Sequence, residues 1–315
     1  MPDPPVARTG AAAGRTLVAG ANGFLGLSIV RALAESGREV RGLARSEPKA
    51  EMVRRAGGSP VLGDILDLTA LRRASKGCDS IVHVAAGGQE KGTTPSNAER
   101  VRVEGARNLL RAAEENRVRR LVIGSGYWVY ADQPGTITES SPTDPRGESR
   151  INFETERVGL QKAPSEGVEV MVVRPGMVYG DGAWFRPMID PLRAGTYRYV
   201  GDGTNMWSFV SLPDTGAGFR QVLESGRAGE VYNLVDGRPA PWREFVEFVA
   251  YRLGAAVPTG VPPEVAIGVF GGDVTHHLVA NRPTSSSKLE ALGWRPRYRE
   301  YRAGVDSVIG AMAAA

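Results

Sequence analysis

Residues 16–31 read TLVAGANGFLGLSIVR. Leu17, Val18 and Ala19 form a short apolar run suited to a buried strand. The stretch Gly20-Ala21-Asn22-Gly23-Phe24-Leu25-Gly26 then makes a glycine turn, and the following residues have helical character. Gly20 lets the chain turn sharply off the strand. Gly23 allows a pyrophosphate to approach the backbone at the positive end of the helix dipole. Gly26 lets the helix pack closely on the sheet. The spacing is GxxGxxG rather than the usual GxGxxG. Strand before, helix after and a position near the start of the chain support a dinucleotide site. A glycine-rich turn with no ligand is the alternative.

The chain has 315 residues, enough for one large or two small domains. A hydrophobic fraction of 42% and a charged fraction of 23% are those of an ordinary globular protein. No apolar run approaches the roughly 18–20 residues that span a bilayer, so no membrane partner is expected. Residues 1–14 carry Pro, Gly and Ala without an apolar core and read as a disordered leader, which makes the cytoplasm the expected location. The net charge is +4, and its arginines are scattered without interleaved aromatics, which argues against nucleic acid as a partner. Cys78 is the single cysteine, read as a half-buried structural thiol, and the histidines are His83, His276 and His277. These offer little to build a metal site, and none is expected.

Going along the chain, strands are expected at Glu39–Ala44, Ser59–Leu62, Ser80–Ala85, Leu121–Gly124 and Val168–Arg174. Helices are expected at Pro48–Ala56, Leu66–Ser75 and Asn97–Asn116, with another ending near Glu166. Strands alternating with helices predict an α/β fold with a doubly wound, Rossmann-type parallel sheet. After Pro175 the alternation loosens. Residues 15–175 are therefore read as the dinucleotide-binding domain and 176–315 as mainly a smaller substrate lobe. Residues 207–235 are expected to return to the sheet.

The end of the second strand discriminates between cofactors. An acidic residue there would bind the adenosine ribose hydroxyl of NAD. This chain has Arg45, suited to a 2′-phosphate, so NADP(H) is expected in preference to NAD(H). Arg41 is read as structural or as a helper. Asp64 is placed to accept from the adenine amine, or to cap a helix from Ile65 onward. Ala85 and Ala86 end the fourth strand with small side chains against which a nucleotide could lie.

Together these residues resemble the extended short-chain dehydrogenase/reductases, the NAD(P)-dependent epimerase/dehydratase family. GANGFLG (20–26), VRGLAR (40–45), VHVAA (82–86), IGSGYWVY (123–130), VVRPGMVYGDG (172–182), WSFVSLPDTG (207–216) and LGWRPRY (292–298) carry the resemblance. It implies a cofactor surface comprising Gly20, Asn22, Gly23, Phe24, Leu25, Gly26, Arg45, Asp64, Ile65, Ala85, Ala86 and Pro175. It also implies a homodimer formed through the helices near 97–116 and 151. The family's chemistry rests on a Ser, and on a Tyr and Lys spaced as YxxxK on one helix face. The best match here is Phe153 with Arg157. Phe has no proton to give, while Arg could still hold the ribose. Gly126 stands at the usual Ser position, with Ser125 one residue away.

Three explanations follow. The first is a displaced acid supplied by Tyr127, Tyr130 or Tyr179, with Tyr127 equally readable as an aromatic filling the lobe interface. The enzyme could instead run a cofactor-retaining cyclisation, dehydration or isomerisation, or the protein could be a silent NADP(H) sensor. Ser125, Tyr127, Trp128, Phe153, Met177, Tyr179, Trp184, Trp207 and Ser211 are expected around a small-molecule substrate. Their aromatic character suits a ring-containing, largely apolar metabolite, with oxidoreduction of a carbonyl or alcohol as the leading reaction. Arg186 and Arg193 keep a nucleotide sugar open. His276-His277 beside Asp273 is read either as a proton-shuttling pair or as surface or lobe packing.

Overall fold

The computed structural model describes residues 14–87 and 95–314. The expected leader, except Gly14, lies outside them. Six parallel strands run in chain order: β1 (Arg15–Ala19), β2 (Glu39–Ala44), β3 (Ser59–Leu62), β4 (Ser80–His83), β5 (Arg120–Gly124) and β6 (Glu169–Pro175). The strand Val231–Leu234 adds a seventh beside β6, so the order across the sheet is Val231–Leu234, β6, β5, β4, β1, β2, β3. This is the expected doubly wound sheet. Its central strands are apolar on both faces because helices cover both sides.

On one face, Ile29, Val30 and Leu33 of α1 (Phe24–Glu35) and Val53 of α2 (Glu47–Arg55) pack with Phe219 and Val222 of the helix Leu212–Ser225. Ser28 donates to the carbonyl of Leu212 at 2.6 Å, and a Cβ at Gly216 would stand 2.5 Å from the carbonyl oxygen of Ser28. The two helices are therefore nearly in backbone contact. On the other face lie α3 (Leu68–Ser75), the helix Glu148–Glu166 and a helical run from 95 to 115. That run is not one regular helix. Pro95–Glu99 and Gly105–Glu115 are α-helical, and Arg100–Glu104 between them forms a π turn.

Several expected boundaries shift. The helix expected from Leu66 starts at Leu68, because Asp67 accepts from the amides of Thr69 and Ala70 and caps it. Asp64 is not that cap; its carboxylate closes a local turn on the amide of Leu66 at 2.9 Å. Arg41 is structural, donating to the carbonyls of Ala74 and Lys76 at the end of α3. Cys78 is fully buried rather than half-buried, and burial pushes its thiol up to about 11.

Residues 207–235 return only in part. Val231–Leu234 joins the sheet, whereas Phe209–Ser211 pairs with Met177–Tyr179 as a separate two-stranded piece. Beyond it a second core forms around Phe185, Trp207, Phe209, Trp242, Phe245 and Tyr301, giving the lobe its own apolar centre. Among the described residues no helix is long and apolar enough to cross a membrane.

Candidate active site

The glycine turn has the geometry its sequence implies. Gly20 has φ +90°, in the left-handed region, and a Cβ there would lie 2.6 Å from the amide nitrogen of Ala85. A Cβ at Gly26 would stand 2.0 Å from the carbonyl oxygen of Gly20. No side chain caps the N-terminus of α1 at Gly23, which leaves its first amides open to a ligand. This cradle, closed to any larger residue and ending in uncapped amides, fits a pyrophosphate. Phe24 packs beneath Gly180 and Gly182 and ties the turn to the lobe. Asn22 and Leu25 are half-buried beside it.

Arg45 is exposed immediately after β2, and Asp64 is half-buried just past β3. Ile65 is buried against Gly105, where a Cβ would meet its Cδ1 at 2.8 Å, so its main contact is with the helix. Ala85 and Ala86 follow β4 half-buried, and Pro175 closes β6 opposite Leu234.

The expected catalytic and substrate residues separate into two groups. Tyr127, Trp128, Phe153 and Met177 pack together beside the ends of β5 and β6. Ser125 and Tyr127 each have a buried hydroxyl with no hydrogen-bond partner among the described residues. Burial pushes the Tyr127 phenol above its usual range. The other group is engaged in structure. Tyr179 is fully buried in the lobe core, its ring 6.1 Å from that of Phe245, and a Cβ at Gly304 would collide with its hydroxyl. Trp184 donates to the carbonyl of Val178 at 2.7 Å and packs among Phe185, Trp242 and Phe245. Trp207 is fully buried and lies 4.3 Å from Trp242. Ser211 caps the helix Leu212–Ser225, accepting from the amide of Asp214 and donating to its carboxylate.

Tyr130 is also committed to structure. Its hydroxyl donates to Asn233 at 2.7 Å, and the Arg174 guanidinium lies 4.7 Å from its ring centre. Arg157, the expected stand-in for the lysine, is half-exposed and held on its own helix by Glu154 and Gln161.

The chain matches the NAD dependent epimerase/dehydratase family over residues 16–234. It belongs to that family. Among its relatives is a 4-hydroxy-2-methyl-3-oxo-4-farnesyl-3,4-dihydroquinoline-1-oxide ketoreductase from Stigmatella aurantiaca. The two are 32% identical over 256 residues, covering 79% of this chain and 76% of the relative. A 3-diazoavenalumate denitrifying reductase from a Streptomyces species is 29% identical, over 92% of this chain and 99% of the relative. The crystal structure of a dTDP-glucose 4,6-dehydratase from Streptomyces venezuelae with NAD bound superposes with a TM-score of 0.81 at 27% identity. That alignment covers 95% of this chain and 97% of the other.

Polar residues that spacing alone did not single out stand just past the ends of β4 and β5. Arg102, from the π turn, donates to the carbonyl of Ala86 at 3.0 Å and to Asn152 Oδ1 at 2.9 Å. A Cβ on Gly126 would stand 3.6 Å from Asn152 Nδ2, so the Asn152 side chain reaches the residues just past β5. The histidine pair divides. His277 is buried, stacked on Trp128 at 4.8 Å, and accepts from Arg282 at Nδ1. With Nδ1 accepting, its proton sits on Nε2, which donates to the carbonyl of Arg146 at 3.1 Å. His276 is half-buried, 3.9 Å from Asp144. His277 is therefore a packing residue of the lobe rather than one half of a shuttle.

Proposed function

We propose that this protein is an NADP(H)-dependent oxidoreductase acting on a carbonyl or alcohol of a small, largely apolar, ring-containing metabolite. The observation that carries the reading is the cradle at Gly20–Gly26 with the uncapped start of α1. Gly23, Phe24, Leu25 and Gly26 would hold the pyrophosphate and Arg45 the 2′-phosphate, with Asp64 beside the adenosine. The bound nicotinamide would supply the redox chemistry. The ketoreductase and reductase names of the relatives support this class of reaction.

The wall formed by Tyr127, Trp128, Phe153 and Met177 is aromatic and apolar, which suits a ring. Within it, Tyr127 is the acid/base of this reading and Ser125 the hydroxyl that orients the substrate oxygen. The Tyr127 hydroxyl is buried with no partner among the described residues, which leaves its proton for a substrate oxygen. A homodimer formed through the helices near 97–116 and 151 remains part of the proposal, on family resemblance.

A second reading keeps the same cofactor but a non-redox turnover. Gly126 in place of the usual Ser, and Phe153 and Arg157 in place of Tyr and Lys, favour it. Calorimetric titration with NADPH and NADH, followed by NADPH oxidation across a panel of cyclic ketones, tests both. NADPH binding with turnover supports the first reading, and binding without oxidation shifts the conclusion to the second. Binding of neither nucleotide removes both.

A further inference from the structure

The π turn at Arg100–Glu104 interrupts an otherwise α-helical run. Such a turn inserts an extra residue and re-aims side chains, and π turns are frequent at functional sites. Here Arg102 turns inward, with a side chain only 14% exposed. Three elements hold it. Its Nε donates to the carbonyl of Ala86 beyond β4, and its Nη1 donates to Asn152 on the helix Glu148–Glu166. Its own carbonyl accepts from His83 Nε2 at 2.9 Å.

The nearest carboxylate oxygen among the described residues belongs to Glu148, 3.7 Å from Nη2 on a side chain 75% exposed. A guanidinium has five N–H donors. Two of them are matched by the bonds above. Nη2 makes no hydrogen bond within the described residues. Burying a cation with unmatched donors is costly unless a partner arrives.

The position indicates the partner. A dinucleotide lies across the point where strand order reverses, between β1 and β4. The adenosine half belongs on the β2–β3 side, where Arg45 and Asp64 stand. Ala86 and Gly126, which flank Arg102 and Asn152, are on the β4–β5 side. We propose that Arg102, aimed by Asn152 and the Ala86 carbonyl, is the cation that holds the nicotinamide-side ribose hydroxyls of the cofactor. Arg157 does not have that role, because Glu154 and Gln161 hold it at the surface. The proposal rests on the dinucleotide reading of the crevice.

Calorimetry on the full chain with two probes tests it. NADPH spans the whole crevice, whereas adenosine 2′,5′-bisphosphate occupies only the adenosine half. Arg102→Met is expected to weaken NADPH binding about tenfold or more, the size of a lost charge-assisted hydrogen bond. It should leave the bisphosphate unchanged. Asn152→Asp places a carboxylate against the guanidinium and should also weaken NADPH selectively. It decides the matter if Arg102→Met does not fold. Arg157→Gln should change neither probe. Wild-type NADPH affinity in both the Arg102 and Asn152 variants overturns the proposal while leaving the dinucleotide reading intact. Equal weakening of both probes also overturns it, since that marks a structural role. If the wild-type chain binds neither probe, the dinucleotide reading falls and this proposal falls with it.

Discussion

Glu156 accepts two parallel hydrogen bonds from Arg174, at 2.9 and 2.6 Å, where the two side chains are 3% and 6% exposed. This bidentate pair joins the helix Glu148–Glu166 to β6 and sets the rotation of that helix. With Glu156 facing the sheet, Asn152, one turn earlier, reaches the end of β5, and Arg157 faces out. Removing one partner strands a buried charge, which typically costs about 3–5 kcal/mol. Glu156→Ala is expected to lose stability of that order in urea unfolding, and Glu156→Leu with Arg174→Met to lose less than the single change. Equal losses would show that the pair does not act as a unit.

His83 and His277 are both held well below the usual histidine range, to about 4, mainly because burial disfavours the charged form. The unfolded chain therefore binds protons that the folded chain refuses between about pH 6.5 and 4. The contribution is fully present above 6.5 and is lost as pH falls through that window, by up to about 3 kcal/mol per histidine. His277→Gln should flatten the acid side of a urea-midpoint profile. An unchanged acid limb would contradict the neutral assignment.

Asp236 behaves in the opposite sense. Burial pushes its carboxyl up to about 8, and its Oδ2 has no partner. The folded chain holds a proton that the unfolded chain releases above about pH 4. Stability therefore falls as pH rises towards 8. Asp236→Asn, neutral at every pH, is expected to raise the unfolding midpoint at pH 8 and above. A loss of midpoint there would show that the carboxylate form is the stabilising one.

Arg45→Gln separates the two nicotinamide cofactors. The change should weaken NADPH binding about tenfold or more and leave NADH within a factor of about two, since only the former carries a 2′-phosphate. An equal loss for both would remove Arg45 from the recognition of that group.

Tyr127→Phe removes a buried hydroxyl that has no partner within the described residues. Deleting an unsatisfied polar atom is close to neutral for stability. The thermal midpoint should therefore hold or rise slightly, while carbonyl reduction falls by a factor of about 100 or more, the scale of general acid catalysis. Unchanged turnover would exclude the phenol as the proton donor.

Much of this organisation was legible in the chain. The central strands β1, β4, β5 and β6 could be read because strands covered on both faces must be largely apolar. The glycine turn could be read because only glycine tolerates backbone at the Gly20 and Gly26 distances. Trp184, Trp207 and Ser211 were harder. An aromatic that lines a crevice and one that fills a core look alike in sequence, and a serine that caps a helix resembles one that meets a ligand.

The sequence alone therefore determined the α/β class, the glycine cradle and the arginine at the end of β2, since strand–helix alternation, glycine spacing and position after a strand are each legible in a short stretch of residues. Only the tertiary structure decided which face of the helix Glu148–Glu166 meets the crevice, because Glu156 and Arg174 set its rotation across 18 residues. Spacing of four residues pairs Phe153 with Arg157, yet the same spacing is met all around a helix. Tertiary structure likewise decided that Arg102 turns inward, because a π turn changes direction without any signature in residue type. It also joined Ala86 to Asn152 through a side chain distant from Asn152 in sequence, a convergence that no local pattern encodes.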